Sequence, residues 1–380
     1  TQMLADFGAD VIKIENPDGG DDTRSWGPPF LKDKDGNDTK EAAYYLSANR
    51  NKRSVTVNMR SEEGKEIIRE LARTADVVVE NFKVGGLAKL GLGEADLRAL
   101  NPRLIYVSIT GFGQTGPKAP EPGYDYLIQG LGGIMSITGE PEGGPMRAGF
   151  AACDMIGGMM GAFAVSAALH QRTQTGEGQF VDVAMLDSTL NFLAQHVTEY
   201  TVAGFVQQQY GNLSVTRKVT ADRFRCGDGY IILAILLEKQ FVNLMKALDR
   251  EDVFDDPRFK DWSARTENAQ ALREVIEGAM RDGDPQSWEE RLTAADVPCA
   301  TVKGIDEIAE HPQVAARGLL QEVDSAYGPL RLVGPGFKLA HGSGGIDRPP
   351  PMVGEHNEEI LTAAGFSAEE IAAWRDQQVI

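Results

Sequence analysis

The stretch SVTVNMRSEEGKEIIRELARTADVVVEN, residues 54–81, indicates the fold class of this chain. Ser54–Asn58 and Val77–Glu80 have the composition of strands, and between them Ser61 stands where the N-cap of an amphipathic helix is expected. Leu104–Ile109 is a further apolar strand of the same kind. Helices alternating with wholly apolar strands are typical of a parallel sheet covered by helices.

The remaining sequence indicates how this sheet is extended and where a second domain begins. The opening TQMLADFGADVIKIE predicts the end of a helix and a strand at Val11–Ile14, so we expect the first strand of the α/β unit to precede Thr1. Phe180–Met185 predicts another strand, and Asp187 the cap of a long helix. We therefore predict an α/β fold with a large parallel-sheet, Rossmann-like domain over 1–203, a smaller α+β domain over 216–315, and a return segment of the large domain over 330–380.

Composition and charge limit the classes of partner. The 380 residues carry a net charge of −18, which disfavours nucleic acid and anionic membrane surfaces. We find no run of about 18 apolar residues and therefore predict no membrane span. The three cysteines, Cys153, Cys226 and Cys299, are too widely spaced for a disulfide framework or a zinc motif, so we expect a cytoplasmic protein.

One carboxylate, Asp154, stands in the glycine-rich run GFAACDMIGGMMGA, residues 149–162. A helix with Asp154 in its first turn is predicted by apolar residues at helical spacing: Met155, Met159, Phe163 and Ala167. Asp154 could cap this helix, or it could be a functional carboxylate at the mouth of a groove. Each helical glycine costs about 1 kcal/mol relative to Ala. Gly157, Gly158 and Gly161 therefore indicate close approach of either another element or a ligand.

Cationic side chains follow two of the predicted strands. Arg60 comes after the first, and Lys83 and Lys89 come after Val77–Glu80, beside Phe82. Ligands of parallel sheets bind beyond the carboxyl ends of the strands. Cations with an aromatic face would suit a phosphorylated, adenine-bearing ligand, although each cation alone is also compatible with a solvated surface charge.

The sequence gives no support for a metal site, an α/β-hydrolase or a dinucleotide-binding fold. The histidines show no paired metal-ligand spacing, so we expect no metal site: His170, His196, His311, His341 and His356. We expect His356 to act as a helix cap or a surface hydrogen-bonding group. There is no GxSxG motif, and the glycines at 130–133 and 143–144 lack the spacing of a dinucleotide fingerprint.

Over almost its whole length the sequence resembles the class III CoA-transferases, which include formyl-CoA transferase, carnitine CoA-transferase and the α-methylacyl-CoA racemases. The resemblance is carried, in family order, by QMLADFGADVIKIE, GDDTRSWGPPF, YYLSANRNKRSVTVNMR, DVVVENFKVGGLAKLGLG, ITGFGQTGP, GYDYLIQGLGGIMSITG, GFAACDMIGG, QRTQTGEGQFVDVAM and PPPMVGEH. It implies an interlocked homodimer in which each chain passes through a ring formed by the other.

The resemblance also implies a reaction and a site. The family's nucleophilic aspartate corresponds to Asp154, which would exchange CoA between carboxylic acids through an aspartyl anhydride and an aspartyl-CoA thioester. Coenzyme A and acyl-CoA would be substrates, with no tightly bound cofactor. The implied CoA contacts are Val57, Asn58, Met59, Arg60, Asn81, Phe82, Lys83, Lys89, Gly123, Tyr124 and Asp125.

Two alternatives remain beside the transferase. The racemases of this family carry a histidine where this chain has Tyr124, and a phenol that titrates at about pH 10 is a poor replacement for that base. A non-catalytic CoA-ester-binding protein is disfavoured by the intact Asp154 region.

Within the family, the motifs are most similar to succinyl-CoA-dependent dicarboxylate transferases, such as succinate–hydroxymethylglutarate CoA-transferase. The chain departs from those enzymes at 212–240, where Leu233–Leu237 replaces a glycine-containing stretch. A cation in this region could bind a second carboxylate, and Arg217, Lys218 and Arg223 are the candidates.

Overall fold

The computed structural model describes residues 1–33 and 35–380. The strands, in chain order, are β1 (Val11–Glu15), β2 (Phe30–Lys32), β3 (Asp38–Ala42), β4 (Lys52–Thr56), β5 (Val77–Glu80), β6 (Ile105–Thr110), β7 (Phe180–Ala184), β8 (Arg223–Cys226), β9 (Gly229–Leu233), β10 (Cys299–Thr301), β11 (Leu320–Ser325) and β12 (Gly328–Val333).

The α-helices, in chain order, are α1 (Gln2–Ala5), α2 (Ala43–Ala48), α3 (Glu62–Thr74), α4 (Glu94–Leu100), α5 (Asp125–Leu131), α6 (Ile134–Ile137), α7 (Ala152–Thr175), α8 (Met185–Phe192), α9 (Ala194–Ala203), α10 (Glu238–Ala247), α11 (Trp262–Glu267), α12 (Ala269–Ala279), α13 (Pro285–Ala294), α14 (Ile305–Ala309), α15 (Pro312–Arg317), α16 (Asn357–Ala363) and α17 (Ala368–Asp376). Short 3₁₀ turns lie at Asp22–Ser25, Ala88–Leu90, Glu251–Asp255 and Pro257–Phe259.

The chain forms two compact units. Unit 1 comprises Thr1–Gly132, Phe150–Val197 and Glu310–Ile380, and unit 2 comprises Gly133–Gly149 and Thr198–Ala309. The chain therefore crosses between the units four times, whereas the sequence predicts one smaller domain inserted at 216–315.

Three segments lie in a different unit from the one predicted: residues 133–149 and 198–203, predicted in the large domain, belong to unit 2, and residues 310–315, predicted in the smaller domain, belong to unit 1. Residues 133–149 belong to unit 2 because the Gln209 side chain donates to the carbonyls of Thr138 and Gly144, at 2.5 and 2.6 Å. Unit 1 resumes at Glu310, earlier than predicted, since Leu330 of the hairpin β11–β12 packs against Tyr45 and Leu46.

Parallel strands form the centre of unit 1, as predicted, in two groups. Strand β6 lies between β5 and β7 in one group, and β1 pairs with β4 in the other. Helix α3 begins as the sequence predicted, with Ser61 Oγ accepting the backbone N–H of Gly64 at 2.9 Å. The carboxyl ends of β4, β5 and β6 are followed by the segments that carry most of the predicted site residues.

The core beside β4 is built from distant parts of the chain. Val55, Val57 and Ile67 pack against seven side chains contributed by the last part of unit 1: Ile360, Leu361, Phe366, Ile371, Trp374, Val379 and Ile380. Helices α16 and α17 therefore complete the hydrophobic environment of the β1–β4 pair.

The long helix predicted after β7 is two helices. Helix α8 begins at Met185, with Ala184 as its N-cap, so Asp187 lies in its first turn and does not cap it. The strand β7 runs directly into the helix, which explains why no side-chain cap is present. Leu193 separates α8 from α9.

Unit 2 has an antiparallel sheet with helices, in agreement with the α+β prediction. Its strand order is β10–β9–β8, and β8 and β9 form an antiparallel hairpin. Fully buried side chains such as Phe224, Ile231, Phe241 and Ile276 form its core.

Helix α7 has the length and apolar character of a membrane-spanning helix, contrary to the sequence prediction. It has 24 residues, and its most apolar window has a mean hydropathy of 1.5. The core helices of soluble proteins can share these properties. In unit 1, Val165 and Ala168 of this helix pack against Ile105, Val107 and Val183 of β6 and β7.

Candidate active site

The predicted helix is present as α7, but its large apolar side chains face outward, whereas their spacing suggests a buried face. The stripe of Met155, Met159 and Phe163 is 59, 45 and 69% exposed. The buried face is instead made of small residues. A Cβ atom at Gly161 would lie 3.1 Å from Cδ1 of Ile109, and one at Gly157 would lie 3.2 Å from Cγ of Met185. These two glycines therefore serve close packing of α7, whereas Gly158 has no neighbouring atom within 4 Å.

The N-terminus of α7 is capped from another helix. Its N-cap residue, Ala151, makes no side-chain cap hydrogen bond. Asp125, the first residue of α5, supplies the missing acceptor: its Oδ1 accepts the backbone N–H groups of Cys153 and Asp154 at 2.7 and 3.3 Å. The interpretation of Asp154 as the cap is therefore wrong, and the capping carboxylate is Asp125.

Asp125 is itself held in place. The side-chain amide of Gln129, which is fully buried, donates to Asp125 Oδ2 at 2.7 Å and to the Phe150 carbonyl at 3.1 Å. Upstream, Gly111 and Gly123 make backbone contact, since a Cβ atom on either would lie within 2.3 Å of the other's Cα. Gly123, predicted to contact CoA, thus has a packing role that brings α5 against the end of β6.

The Asp154 carboxylate is free for chemistry. It is the third residue of α7, its side chain is exposed, and it accepts no hydrogen bond and forms no ion pair within residues 1–33 and 35–380. Partial burial raises the pKa of Asp154 above its ordinary value, and the like charge of Asp125 raises it further. A helix N-terminus ordinarily favours the ionised form of a carboxylate, but here Asp125 already accepts two N–H groups of that terminus.

Two aromatic residues that the sequence analysis did not assign lie at this site. Burial raises the pKa of the Tyr44 phenol, and the negative charges of Asp154 and Asp125 raise it further. The Trp26 ring lies 5.3 Å from the Tyr44 ring, and both side chains are exposed. Both residues lie within motifs that carry the family resemblance, YYLSANRNKRSVTVNMR and GDDTRSWGPPF. These motifs were the sequence signal that could have assigned them to the site.

The predicted cationic side chains follow the strand ends as expected. Arg60 comes after β4 and Lys83 after β5, and Lys89 lies within the 3₁₀ turn Ala88–Leu90. All three are exposed and have no carboxylate partner in the part of the chain that the structure describes. Phe82, beside Lys83, is 45% exposed. This arrangement leaves positive charge and an aromatic face available to an anionic ligand.

The other predicted contacts differ in what they can offer a ligand. Val57 is buried in the β4 core, so only its main chain is available, whereas Met59 packs against the same core and is half-buried. Asn58 is half-buried, and its side chain accepts the Arg60 N–H at 3.1 Å. Asn81 and Tyr124 are exposed.

The structure also describes the candidate metal ligands and His356. Among the described residues no group of three or more His, Cys, Asp or Glu side chains could hold a metal ion. His356 is the N-cap residue of α16 but makes no side-chain cap bond; its Nδ1 accepts the Ser54 N–H at 3.3 Å.

Comparison with known proteins identifies the class. Residues 1–357 match the family described as CoA-transferase family III, and the chain belongs to that family. The chain is 43% identical over 369 residues to succinate–glutarate CoA-transferase of Agrobacterium fabrum, covering 95% of this chain and 90% of that protein. It is 35% identical to human succinyl-CoA:glutarate CoA-transferase, covering 95% of this chain and 81% of that protein.

A solved structure agrees with the fold. A CaiB/BaiF family protein from Brucella suis superposes with a TM-score of 0.87 at 38% identity, covering 96% of this chain and 94% of that one. The chain is therefore a class III CoA-transferase, and the resemblance predicted from its motifs is confirmed.

Proposed function

We propose that this enzyme transfers CoA from succinyl-CoA, or a similar acyl-CoA, to a small dicarboxylic acid, with glutarate as the first candidate acceptor. The names of the similar proteins from Agrobacterium fabrum and human support this choice of acids. The reaction exchanges one thioester for another, so it needs no redox cofactor and no external energy source.

Asp154 is the nucleophile in this proposal. Its carboxylate attacks the thioester carbonyl of the donor, the C–S bond breaks, and CoA leaves as the thiolate, giving a mixed anhydride. The thiolate then attacks the aspartyl carbonyl and releases the donor acid as its carboxylate. The acceptor carboxylate attacks the resulting Asp154–CoA thioester, the C–S bond breaks, and a second mixed anhydride and the CoA thiolate form. The thiolate then attacks the acceptor's acyl carbonyl and displaces the Asp154 carboxylate. The new acyl-CoA leaves, and the Asp154 carboxylate is restored.

The observation that carries this proposal is that Asp125 caps α7, whereas Asp154 does not. Asp125 accepts the N–H groups at the start of α7, which leaves the Asp154 carboxylate without a structural partner among the described residues. A carboxylate that is partly desolvated and not hydrogen-bonded loses less solvation when it attacks a carbonyl. A purely structural aspartate would be expected to make the cap bond itself.

Coenzyme A would bind at the strand ends. Arg60, Lys83 and Lys89 would hold its phosphates, and the exposed ring of Phe82 would stack on its adenine. Asn58, Asn81, Tyr124 and Asp125 remain proposed contacts through their side chains, and Val57, Met59 and Gly123 through their main chains.

We also propose a homodimer, in line with the interlocked form that the family resemblance implies. The stripe Met155, Met159 and Phe163 gives α7 an apolar face that is exposed in the single chain, and faces of this kind mark interaction surfaces. Sedimentation should therefore show a dimer whose folded state is lost together with its association. A folded monomer that persists on dilution would contradict this.

The expected location is the cytoplasm, with no nucleic acid or membrane partner. The net charge of −18 supports this proposal, as do the three cysteines, none of which forms a disulfide in the structure. Fractionation of cells that express the protein would test it.

The direct test is a matrix of donors and acceptors read by mass spectrometry of the CoA esters. Succinyl-CoA with glutarate should give glutaryl-CoA and succinate. The racemase alternative predicts instead that a 2-methylacyl-CoA exchanges its α-proton in heavy water without an acceptor acid. Binding of CoA esters with neither reaction would favour a non-catalytic protein.

A further inference from the structure

Gln129 is a polar side chain that lies entirely inside unit 1. It is fully buried on α5, beside the fully buried Ile128. A buried amide costs free energy unless it is hydrogen-bonded, and an apolar side chain of the same length would avoid that cost. The burial of Gln129 therefore indicates that its hydrogen bonds have a role beyond filling space.

The amide of Gln129 donates to two oxygens that belong to different segments of unit 1. One is Oδ2 of Asp125, at 2.7 Å, one turn earlier on α5. The other is the carbonyl of Phe150, at 3.1 Å, in the segment that leads into α7. Both hydrogens of one nitrogen are thus used. Because both partners are acceptors, the nitrogen has to face them, and the orientation of the amide is determined.

The groups that Gln129 holds also define the first turn of α7. The Phe150 carbonyl accepts the Ala152 N–H at 2.9 Å as well. The second carboxylate oxygen of Asp125, Oδ1, accepts the Asp154 N–H at 3.3 Å. One side-chain amide therefore fixes two acceptors that receive the first N–H groups of the helix carrying Asp154.

A glutamine and an acidic residue one turn apart can also support a helix locally, and another pair in the chain shows how that looks. Gln270 donates to Glu274 on α12 at 3.0 Å, and this pair is exposed and lies within one helix. Gln129 differs because it is buried and because its amide reaches Phe150, outside its own helix. Local helix support does not require either feature.

We propose that Gln129 is a positioning residue for CoA transfer: its amide fixes Asp125 and the Phe150 carbonyl, and through them the place of the Asp154 carboxylate. This rests on the proposed role of Asp154 as the nucleophile. Attack on a thioester carbonyl requires well-aligned reacting atoms, and a misplacement of about 1 Å can lower a rate roughly 100-fold. Gln129 acts through Asp125 and touches no reacting atom itself.

The experiment measures how fast the adduct on Asp154 forms in a single turnover with succinyl-CoA and no acceptor. Gln129→Met keeps the length of the side chain but has no donor, so the rate constant should fall roughly 10- to 100-fold. Affinity for free CoA should change little, whereas a general loss of structure would lower both. Gln171→Met, the same substitution at an exposed position near the C-terminal end of α7, is the matched control and should leave the rate constant unchanged.

A double substitution tests whether the effect passes through Asp125. Asp125→Asn keeps an oxygen for the cap of α7, but its amide nitrogen cannot accept a hydrogen bond from Gln129. In that background Gln129→Met should have little further effect on the rate constant. A full additional loss would overturn the proposal, as would an unchanged rate constant in the single Gln129→Met variant.

Hydrogen exchange gives a measurement that does not depend on the reaction. In Gln129→Met the N–H groups of Cys153 and Asp154 should exchange roughly 3- to 10-fold faster, the range of one weakened hydrogen bond, while the C-terminal half of α7 stays protected. Unchanged exchange, or faster exchange along the whole helix, would overturn the proposal. If the wild-type protein forms no adduct on Asp154 but exchange responds as expected, the proposed nucleophile is wrong while the hold of Gln129 on α7 stands.

Discussion

Asp125 accepts the backbone N–H of Asp154 through Oδ1 at 3.3 Å, although both side chains are carboxylates. The contact joins the first turn of α5 to that of α7 and keeps two like charges close together. An aspartate at the start of a helix can cap the helix or react with a substrate. Here Asp125 caps the helix, and Asp154 is left to react.

Replacement of Asp154 by asparagine should abolish turnover with little effect on folding. An amide cannot form the anhydride, and the cap hydrogen bonds come from Asp125. The change in unfolding free energy should stay within about 0.5 kcal/mol, as for a surface position. Wild-type enzyme with donor and no acceptor should form an adduct on Asp154 that hydroxylamine or borohydride traps. Normal turnover by the variant would rule out Asp154 as the nucleophile.

The pH dependence of the reaction should respond to Asp125. Its negative charge contributes to the raised pKa of Asp154, after burial, so Asp125→Asn should lower that pKa and keep the nucleophile ionised at lower pH. The acid limb of kcat/KM should therefore move to lower pH, while the asparagine carbonyl retains the cap. Asp76→Asn, at an exposed residue paired with Arg172, is the control and should leave the limb in place. A shift to higher pH with Asp125→Asn would contradict the assignment.

Two glycine substitutions should have opposite effects on stability. A Cβ at position 123 would lie 2.1 Å from the Gly111 Cα, so Gly123→Ala must separate two backbones; we expect a loss of roughly 2 kcal/mol or more together with most of the activity. Gly158→Ala meets no atom within 4 Å and should stabilise α7 by about 0.5–1 kcal/mol. Urea unfolding of both variants measures this, and equal effects would refute the packing role of Gly123.

The strand-end cations should govern affinity for CoA esters. Alanine at Arg60, Lys83 or Lys89 should weaken binding by roughly 1–3 kcal/mol, the range of a charge-assisted hydrogen bond, and added salt should weaken wild-type binding too. Calorimetry with free CoA is the measurement. Lys65→Ala, which removes a lysine already paired with Glu62, should bind CoA like the wild type. Unchanged affinity in all three variants would remove these residues from the site.

Lys52 should make the free energy of unfolding depend on pH between about 7 and about 10.4. Burial lowers the pKa of Lys52 to about 7, while its Nζ has one hydrogen bond, to Asn49 Oδ1 at 2.8 Å. Between that value and the unfolded value of about 10.4, the unfolded state binds more protons, so stability rises with pH in this window. Lys52→Met should stabilise the protein at pH 7 by on the order of 1 kcal/mol. The variant should also show a smaller increase of stability with pH in this window. Lys40→Met, at an exposed position, should do neither.

Much of the site could be predicted because its signals are local in sequence. The helix carrying Asp154, the strands before Arg60 and Lys83, and the cap at Ser61 each follow from short-range spacing. The cap of α7 could not be predicted this way, because Asp125 is 28 residues from Cys153 and any aspartate near the helix start would fit the pattern equally well.

The orientation of α7 shows the same limit. Periodicity places Met155, Met159 and Phe163 on one face, but it does not say what covers that face. The face with Gly157 and Gly161 is buried because only small residues fit against Ile109, so the methionines and Phe163 face outward. Residues 133–149 were likewise assigned to the wrong unit, because the bonds from Gln209 that hold them come from a part of the chain more than 60 residues away.

The packing of α16 and α17 on the β1–β4 pair also bears on how the chain matures during synthesis. Val55 and Val57 emerge from the ribosome about 300 residues before Ile360 and Leu361, which cover them. Because domains fold as units while translation proceeds at roughly 5–20 residues per second, this apolar surface stays open for at least about 15 s. Unit 1 can therefore finish folding only after Ile360 and Leu361 have been synthesised, and in that interval its exposed apolar surface is available to chaperones.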